Sequence, residues 1–385
     1  QESAQTPLLQ APIQEISDPF YQPLTFTKLA DNRQEVLLNA SLPLAGELSL
    51  IGNQIFDGLT LFFNKVRQED LQGKYVINLS ALDDQGSGSR TKNNAKKLQS
   101  RAPLFTSFFG ANSMHAVAKL IKQKKIAMFF PIESASDYRQ QAFDNIIFFR
   151  PPINKELDAL IQYCIQQLKR KIAIFYEASS WGEEGLQHIK KTLEKNDAIT
   201  LVAHGSYQPR TVNIASAVHT IVKSDPDAII CIAQARPAYN FIRQVVNKGL
   251  HKTLFLGLSE LISLQSTLKK SRGLTVITSS VTPNPSTSTL PIVEEYRNDM
   301  KKFFPNKPLL PFSLEGYINA MLFYAALNYT PAPQSPQALI KTLESFNSFN
   351  FKGLDLTYNT TTRSLSSKVW INTGTKKWIE AQPLS

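Results

Sequence analysis

The sequence predicts an α/β protein built from two doubly wound lobes, each with a parallel sheet. The chain has 385 residues, which is more than one hydrophobic core usually supports, so two domains of ordinary size are expected. Short runs of β-branched and aromatic residues alternate with helical apolar periods, and this alternation is typical of parallel sheets. Two prolines, Pro151 and Pro152, interrupt the pattern and divide it into two series.

The first series follows a stretch rich in proline and glutamine, residues 1–34. This stretch has no sustained periodicity and is predicted to be an N-terminal extension or tether on the surface. A strand at residues 36–42 then leads through a turn into a helix whose apolar residues, from Ile55 to Val66, share one face. Further strands are predicted at residues 75–80, 104–109, 126–130 and 146–149, with helices at residues 91–99 and 114–123.

The second series repeats this alternation after the two prolines. Helices are predicted at residues 157–168, 183–193 and 239–247, and strands at residues 172–176, 199–203, 228–232, 253–256 and 274–278. A stretch rich in proline, serine and threonine, residues 282–291, is predicted to cross back to the first lobe. Helices at residues 292–303, 314–327 and 336–345 and a strand at residues 368–372 complete the chain.

The composition narrows the classes of partner. Lysine and arginine (42) exceed aspartate and glutamate (31), a surplus that could attract an anionic ligand or acidic lipid. The basic residues are dispersed and form no stripe with interleaved aromatics, so nucleic-acid binding is not expected. No run approaches the roughly 18 apolar residues of a membrane helix, so a chain that does not span a membrane is expected. Both cysteines, Cys164 and Cys231, stand among apolar residues and are predicted to be buried and reduced.

The first residue, Gln1, is not an initiator methionine. A processed or truncated chain is therefore expected, from which a secretory signal has been removed. The location expected on this basis is outside the cytoplasm.

Motifs of catalysis and cofactor binding are missing from the sequence. It contains no P-loop, GxGxxG, GxSxG, HExxH or CxxC, and its five histidines show no metal-ligand spacing. Asp83 and Asp84 follow a strand, but adjacent acids in a strand point to opposite faces, and a glycine-rich turn follows them. A solvated turn is the favoured interpretation. The prediction is a protein that is not an enzyme and uses no cofactor or metal.

Candidate binding residues lie in loops after the strands, because open α/β sheets bind ligands at the carboxyl ends of their strands. Ser113 and nearby amides could hold an anionic group at a helix N-terminus, or Ser113 could be the N-cap of that helix; both interpretations stay open. Residues 131–136 follow the next strand and present several donors.

Two further loops carry candidates. Trp181 is a large aromatic on a loop, suited to a site with one dry face, although core packing would also explain it. Arg236, just after Gln234 and a buried strand, could pair with a carboxylate or be an ordinary surface arginine at a helix start.

The order of these motifs resembles the type I periplasmic substrate-binding proteins of the leucine/isoleucine/valine-binding class, which serve ABC transporters. The resemblance runs from about Glu35 to the C-terminus. It is specific because many weak motifs occur in one colinear order. They stand at residues 42–46, 51–52, 56–58, 82–84, 109–113, 172–176, 181–182, 226–228, 241–249, 291–296 and 314–317.

The resemblance implies a flytrap in which three segments join the lobes and closure buries the ligand. The crossings are expected near Arg150, at residues 282–291 and at residues 351–355. The lobes would then comprise residues 35–150 with 286–352, and residues 151–285 with 353–385. A ligand that touches both lobes would shift the equilibrium from open to closed.

The resemblance also implies which residues line the site. In amino-acid-binding members, hydroxyl and amide groups of two loops hold the ligand's carboxylate, and an aromatic and an acidic residue of the second lobe complete the pocket. The implied positions here are Ile51, Ser113, Glu133, Ser134, Ala135, Trp181, Gln234, Arg236, Ser259 and Glu260.

The position that matches the family's acidic residue is Ser259, and Glu260 follows it. If Glu260 does not reach the cleft, a ligand ammonium lacks its carboxylate partner, which would disfavour a plain branched-chain amino acid. Arg236, together with the net charge of +11, would then tolerate an acidic or non-amino ligand.

Two functions follow as expectations. The first is a monomeric periplasmic receptor that captures an amino acid or a related carboxylate or amide and delivers it to an ABC permease in the inner membrane. The second is a sensing or protein-docking module of the envelope with the same fold and no transport role. A polar cleft of ligand size would favour the first.

Overall fold

The computed structural model of the protein describes residues 17–384. The predicted extension therefore falls partly outside the described residues, and its remainder differs from the prediction. Phe20, in a 3₁₀ helix at Pro19–Tyr21, is only 1% exposed and packs in the core of the first lobe. Strand β1 (Thr27–Lys28) pairs antiparallel with β2 (Gln34–Leu42). Residues 17–34 are thus anchored to the first lobe by an aromatic side chain and a strand.

The first lobe contains a six-stranded sheet. After β2 come β3 (Tyr75–Asp83), β4 (Leu104–Thr106), β5 (Ala127–Phe129) and β6 (Ile146–Ile147), and the parallel strands lie in the order β3-β2-β4-β5-β6. The helices that alternate with them are α1 (Ser49–Glu69), α2 (Gly88–Gln99), α3 (Gly110–Ala116) and α4 (Ala118–Lys122). The single helix predicted at residues 114–123 is therefore two short helices, which meet at the non-helical Val117.

The second lobe contains a seven-stranded sheet. Its parallel strands are β7 (Lys171–Glu177), β8 (Thr200–Tyr207), β9 (Ala228–Ile232), β10 (Leu254–Gly257) and β11 (Val276–Ser280). Its helices are α5 (Ile153–Gln166), α6 (Ser180–Glu194), α7 (Ala215–Ser224), α8 (Ala235–Asn247) and α9 (Leu264–Arg272). The sequence analysis missed α7, which is rich in β-branched residues, and α9, which is mostly polar; both patterns are weak helix signals.

The chain then returns to the first lobe. It forms α10 (Pro291–Phe303), α11 (Pro311–Tyr329), α12 (Pro336–Glu344) and a hairpin of β12 (Phe349–Phe351) with β13 (Leu354–Leu356). Helix α11 is buried along nearly its whole length. It packs backbone to backbone against α1, because a Cβ at Gly58 would stand 2.0 Å from the carbonyl oxygen of Ser313.

The third crossing lies later in the chain than residues 351–355. The hairpin turns back at Lys352 and Gly353, both with positive φ, so the chain does not cross there. Leu365 still packs in the core of the first lobe, whereas Val369 packs in that of the second. Strands β14 (Trp370–Asn372) and β15 (Ile379–Glu380) then extend the second sheet antiparallel, giving the order β8-β7-β9-β10-β11-β14-β15.

The composition led to predictions about the two cysteines and about membrane-spanning helices. Cys164 and Cys231 are free and buried, and burial raises the pKa of each thiol to about 12. This confirms the prediction of buried, reduced cysteines. Among the helices within residues 17–384, none combines the length and the apolar character that a membrane span requires.

Candidate ligand-binding cleft

A cavity of about 510 Å³ lies between the two lobes. It is formed at the carboxyl ends of the parallel strands of both sheets, where open α/β sheets place their ligands. The side chains that line it from the first lobe include Leu48, Gln85, Phe109, Ser113, His115, Ile132, Glu133 and Ser134. Those from the second lobe include Glu177, Trp181, Tyr207, Arg210, Gln234, Pro237 and Glu260.

Asp83 and Asp84, at the end of β3, hold in place the turn that brings Gln85 and Gly86 to the cavity. Asp84 is completely buried; its carboxylate accepts hydrogen bonds from Ser41 Oγ (2.8 Å) and from the amide of Gly86 (2.8 Å). Asp83 accepts a bond from the amide of Leu44 (2.8 Å). The prediction of a solvated turn is therefore wrong for Asp84, because its carboxylate ties β2 to the turn that carries Gln85 and Gly86 into the cavity.

Ser113 lies inside helix α3 rather than at its cap. The helix begins at Gly110 and its N-cap residue is Phe109, whose side chain makes no capping bond. Ser113 is 5% exposed and lines the cavity. Of the two interpretations left open by the sequence, the structure therefore contradicts the N-cap and places Ser113 where it can meet a ligand.

The loop after β5 brings a buried carboxyl group to the cavity. Glu133 lines the cavity and is 5% exposed. One of its oxygens, Oε1, accepts the amide hydrogen of Ala135 at 2.8 Å, and the other, Oε2, has no hydrogen-bond partner among residues 17–384. The neighbouring Ser134 also lines the cavity, and its Oγ accepts a bond from Nη1 of Arg150 at 2.9 Å.

A second buried carboxyl group comes from the other lobe. Glu260 lies in a 3₁₀ helix, Ser259–Leu261, just after β10, and it lines the cavity. Its Oε2 also lacks a partner in the described part of the chain. Ser259 does not line the cavity, because its hydroxyl points inward and donates to Oε1 of Glu156 at 2.8 Å. The acidic residue that reaches the cleft is therefore Glu260.

These two carboxyl groups are strongly perturbed by their surroundings. Burial raises the pKa of Glu133 to about 7, against the opposing influence of Arg139 and Arg150. Burial raises the pKa of Glu260 to about 8, and the negative charge of Glu156 adds to the effect. Perturbed carboxyl groups that face a cavity are typical of functional sites.

The two buried arginines beside the cavity are fully engaged within the protein. Arg150 donates to both carboxylate oxygens of Glu315, at 2.9 and 2.7 Å. Arg139 donates to the carbonyl oxygens of Glu133, Ala135 and Arg150, at 2.7, 3.3 and 3.1 Å. Both guanidinium groups therefore hold the loop after β5 and the first crossing in place, and neither is directed at a ligand.

The side of the cavity that the second lobe forms contains an aromatic residue and a series of polar groups joined by hydrogen bonds. Trp181 is the second residue of helix α6, not a loop residue, and lines the cavity while 6% exposed. Tyr207 Oη donates to Oε2 of Glu177 at 3.1 Å and accepts the amide hydrogen of Gln234 at 2.9 Å. Burial raises the pKa of Glu177 and of Tyr207. The side-chain oxygen of Gln234, Oε1, has no partner among the described residues.

Three of the residues named from the sequence, besides Ser259, do not line the cavity. Ile51 lies in α1 and packs in the core of the first lobe, since the opposite face of that helix carries its polar residues. Ala135 is buried in the core of the second lobe and contributes only its amide. Arg236 is exposed and forms an ion pair with Glu47.

The Arg236 pair is one of the contacts that join the two lobes. Glu47 belongs to the first lobe and Arg236 to the second, so their ion pair spans the cleft. The amide of Ser136 donates to Oε2 of Glu184, in α6 of the second lobe, at 2.8 Å. The structure is thus a conformation in which the lobes touch around the cavity.

Gln85, Glu177 and Tyr207 line the cavity but were not predicted from the sequence. Each stands at or just after the carboxyl end of an observed strand, β3, β7 or β8. The strands predicted at residues 75–80 and 199–203 end three and four residues before the observed strands do, so the rule that ligands lie at strand ends did not reach Gln85 and Tyr207. Within residues 17–384, no group of three or more histidine, cysteine, aspartate or glutamate side chains could hold a metal ion.

Comparisons with known proteins agree with this architecture. The family profile described as "Periplasmic binding protein" matches residues 40–376. "Leu/Ile/Val-binding protein homolog 7" of Brucella abortus (strain 2308) is 21% identical over 313 residues, which cover 76% of this chain and 77% of that protein.

Solved structures share the fold. A possible leucine/isoleucine/valine-binding protein from Rhodopirellula baltica SH 1 superposes with a TM-score of 0.82 at 22% identity, covering 92% of this chain and 98% of that one. A solute-binding protein of an ABC transporter from R. palustris, solved in complex with 4-hydroxybenzoate, has a TM-score of 0.76 at 15% identity, covering 91% and 96%. The fold prediction and the family resemblance are therefore confirmed: the chain belongs to the periplasmic binding protein family.

Proposed function

We propose that this protein captures a small organic solute with a positively charged group in the cleft between its lobes and delivers it to an ABC permease. The observation that carries the proposal is the pair Glu133 and Glu260. These carboxyl groups come from different lobes, line the same cavity, and each has an oxygen without a partner in the described chain.

The cavity has the size and composition of a ligand site. Its volume of about 510 Å³ falls within the range of pockets that bind small molecules, roughly 300–1,000 Å³. Apolar walls formed by Phe109, Ile132 and Trp181 surround a few polar groups, which is how proteins combine affinity with orientation. An open cavity of this kind favours solute capture over a docking module, because a docking module can fill its cleft with its own side chains.

The charge of the cavity wall favours a cationic group on the solute. A buried carboxylate without a partner is costly, by several kcal/mol after relaxation of the protein, and an ammonium group that accepts its charge recovers much of that cost. A cation held between Glu133 and Glu260 would contact both lobes at once. It would therefore stabilise the closed arrangement more than the open one, and this difference in affinity drives closure.

The relatives support the transport role. The Brucella protein is named as a Leu/Ile/Val-binding homologue, and the R. palustris neighbour binds 4-hydroxybenzoate. The family consists of substrate-binding proteins, so a role without catalysis, as a periplasmic monomer that meets its permease in the closed form, accompanies the proposal.

A thermal-shift screen tests the function. The purified chain is heated with amines, amino acids, carboxylates and amides, because a ligand that binds only the folded state raises the melting temperature with its concentration. A saturable rise is expected for compounds with an ammonium or amidinium group. Trp181, one of three tryptophans, should report the same binding as a change in fluorescence.

Matched variants separate the cavity from the rest of the protein. Glu260→Gln should abolish most of the rise, whereas Glu194→Gln, the same change at an exposed position of the second lobe, should leave it intact. If no class of compound raises the melting temperature or alters the fluorescence, solute capture is wrong and the sensing or docking role gains support.

A further inference from the structure

We propose that the solute is an organic cation that carries no carboxylate at the end facing Glu133, so that amines and amidines bind in preference to zwitterionic amino acids. This inference rests on the proposed function and narrows the class of solute. It is carried by the hydrogen bonds that the cavity wall has already made and by the atoms that it has left without partners.

Two amides of the loop after β5 that a ligand carboxylate could use already donate hydrogen bonds within the protein. The amide of Ala135 donates to Oε1 of Glu133 at 2.8 Å, and the amide of Ile132 donates to the carbonyl oxygen of Phe108 at 2.8 Å. The carboxyl group of Glu133 thus occupies the amide of its own loop in the way that a bound carboxylate would. The other oxygen of Glu133, Oε2, is buried without a partner in the described chain, and Glu133 is one of the residues that line the cavity.

The two nearby guanidinium groups, of Arg139 and Arg150, also have hydrogen-bond partners within the protein. Arg150 donates to Glu315 and to Ser134, and Arg139 donates to backbone carbonyl groups. Four carboxyl groups, of Glu133, Glu156, Glu260 and Glu315, share this buried region with those two guanidinium groups. When Glu133 and Glu260 are ionised, a ligand carboxylate placed there would add a further negative charge to a region in which four carboxylates face two guanidinium groups.

In the described structure, the buried side-chain atoms without partners on residues that line the cavity are oxygens, which accept hydrogen bonds when the carboxyl groups are ionised. They are Oε2 of Glu133 from the first lobe and Oε2 of Glu260 and Oε1 of Gln234 from the second. A group with several N–H donors, such as an ammonium or amidinium, can satisfy acceptors on both sides at once, and hydrogen bonds between charged groups are the stronger kind. A carboxylate can donate no hydrogen bond, so it would leave the amide oxygen of Gln234 and the ionised carboxyl oxygens without partners.

In an alternative arrangement, a ligand carboxylate would be held away from Glu133, by Ser113 and Arg210. Ser113 lines the cavity on α3, and Arg210 lines it from an exposed position in the second lobe. If these two residues hold a carboxylate while Glu260 holds an ammonium, a zwitterionic amino acid binds at least as well as the corresponding amine. The two arrangements therefore predict opposite orders of affinity.

The test compares pairs of compounds that differ only in the group in question. Leucine is paired with 3-methylbutylamine, and phenylalanine with 2-phenylethylamine, the amine in each case being the amino acid without its carboxylate. Benzamidine is paired with benzoate, which has the same ring and a planar end group of opposite charge. Each is titrated into the full chain by calorimetry at pH 7.5.

The expected result is that the amines and benzamidine bind at least about tenfold more tightly than their partners, the ratio that corresponds to roughly one charge-assisted hydrogen bond. Glu133→Ala frees the amide of Ala135 and removes a negative charge, so it should narrow or reverse this preference. Glu133→Gln keeps the shape of the side chain and should weaken amine binding; it serves if the alanine variant does not fold. Glu194→Gln is the control for both.

The outcomes separate the inference from the proposed function. If leucine, phenylalanine or benzoate binds the unmodified protein as tightly as its partner or more so, the inference is wrong while solute capture stands. If the screen finds no compound of any class that binds, the proposed function fails and the inference fails with it. A preference for the cationic member that disappears in the Glu133 variants supports the inference.

Discussion

Arg150 and Glu315 form a bidentate ion pair where the chain first crosses between the lobes. The two bonds measure 2.9 and 2.7 Å, and the side chains are 1% and 2% exposed. Arg150 also donates to Oγ of Ser134, beside Glu133 in the wall of the cavity. The pair thus connects the first crossing to helix α11 and to the wall of the cavity.

Removal of one partner should be far more damaging than the net value of the pair suggests. Glu315→Gln leaves the guanidinium of Arg150 buried without its counter-charge, and we expect the free energy of unfolding to fall by about 3–5 kcal/mol. Denaturant unfolding followed by circular dichroism measures the change. Glu380→Gln, which removes the partner of Lys368 in a half-exposed pair, should change stability by less than about 1 kcal/mol. Equal losses in the two variants would contradict this account.

The stability of the protein without ligand should fall as the pH rises. An unfolded glutamate has a pKa near 4.3, whereas burial raises the pKa of Glu133 to about 7 and that of Glu260 to about 8. The folded state therefore binds more protons between these values, and its stabilisation is present below about pH 4 and is lost up to about pH 8. Glu156, Arg139 and Arg150 share the same surroundings.

The measurement is the melting temperature at pH 6 and at pH 9. The unmodified protein should melt at a lower temperature at pH 9, and the double variant Glu133→Gln with Glu260→Gln should lose less, because a glutamine does not ionise. A pH dependence unchanged in the double variant would assign the effect to other groups.

Binding of an amine should release protons from the cavity. A cation favours the ionised forms of Glu133 and Glu260, whose raised pKa values leave them partly protonated near neutral pH without a ligand. The affinity for 2-phenylethylamine should therefore rise from pH 6 to pH 8.5. Calorimetry in two buffers with different ionisation enthalpies measures the protons released. Proton uptake on binding would contradict the assigned role of the two carboxyl groups.

The ion pair between Glu47 and Arg236 should slow the opening of the cleft slightly. Both side chains are more than half exposed, so the pair is expected to contribute less than about 1 kcal/mol and to weaken in high salt. Arg236→Ala should raise the rate of amine dissociation by no more than about fivefold, measured by stopped-flow fluorescence of Trp181. The charge-reversed double variant, Glu47→Arg with Arg236→Glu, should restore the slower rate.

The first turn of α6 tolerates no side chain at Gly182. A Cβ there would lie 1.8 Å from the carbonyl oxygen of Glu177, at the end of β7. Gly182→Ala must displace that strand end, and overpacking of this kind costs about 1–3 kcal/mol. We expect lower stability together with weaker binding, because Glu177 and Trp181 both move. Gly88→Ala is the control and should change both properties less, because its Cβ would meet only side-chain atoms of Asn112, the nearest at 3.2 Å.

The sequence was most informative where the signal is local. Strand β9 has the same bounds, residues 228–232, in the prediction and in the structure, since a fully buried strand is a continuous apolar run. The rule that ligands lie at the carboxyl ends of parallel strands selected Ser113 and the loop that contains Glu133, and both residues line the cavity. These predictions need only the period of the side chains and the order of the elements.

The sequence was least informative about the direction in which a helical side chain points. Ile51 and Ser259 belong to segments that border the cavity, yet the first turns into a hydrophobic core and the second donates to Glu156. A rotation of one residue about a helix axis moves a side chain by about 100°. That rotation is set by packing against other elements, which a local pattern does not contain.

The alternation of elements, the two lobes and the edge of each sheet that binds the solute follow from side-chain periods that act over a few residues. The tertiary structure decided the partners: Glu315 for Arg150, 165 residues away, Glu47 for Arg236, 189 residues away, and the amide of Ala135 for Glu133. Each of these choices depends on which donors and acceptors remain unpaired once the lobes have packed. The charge that the cavity offers to a solute is therefore a property of the folded protein, and no single segment of the chain carries it.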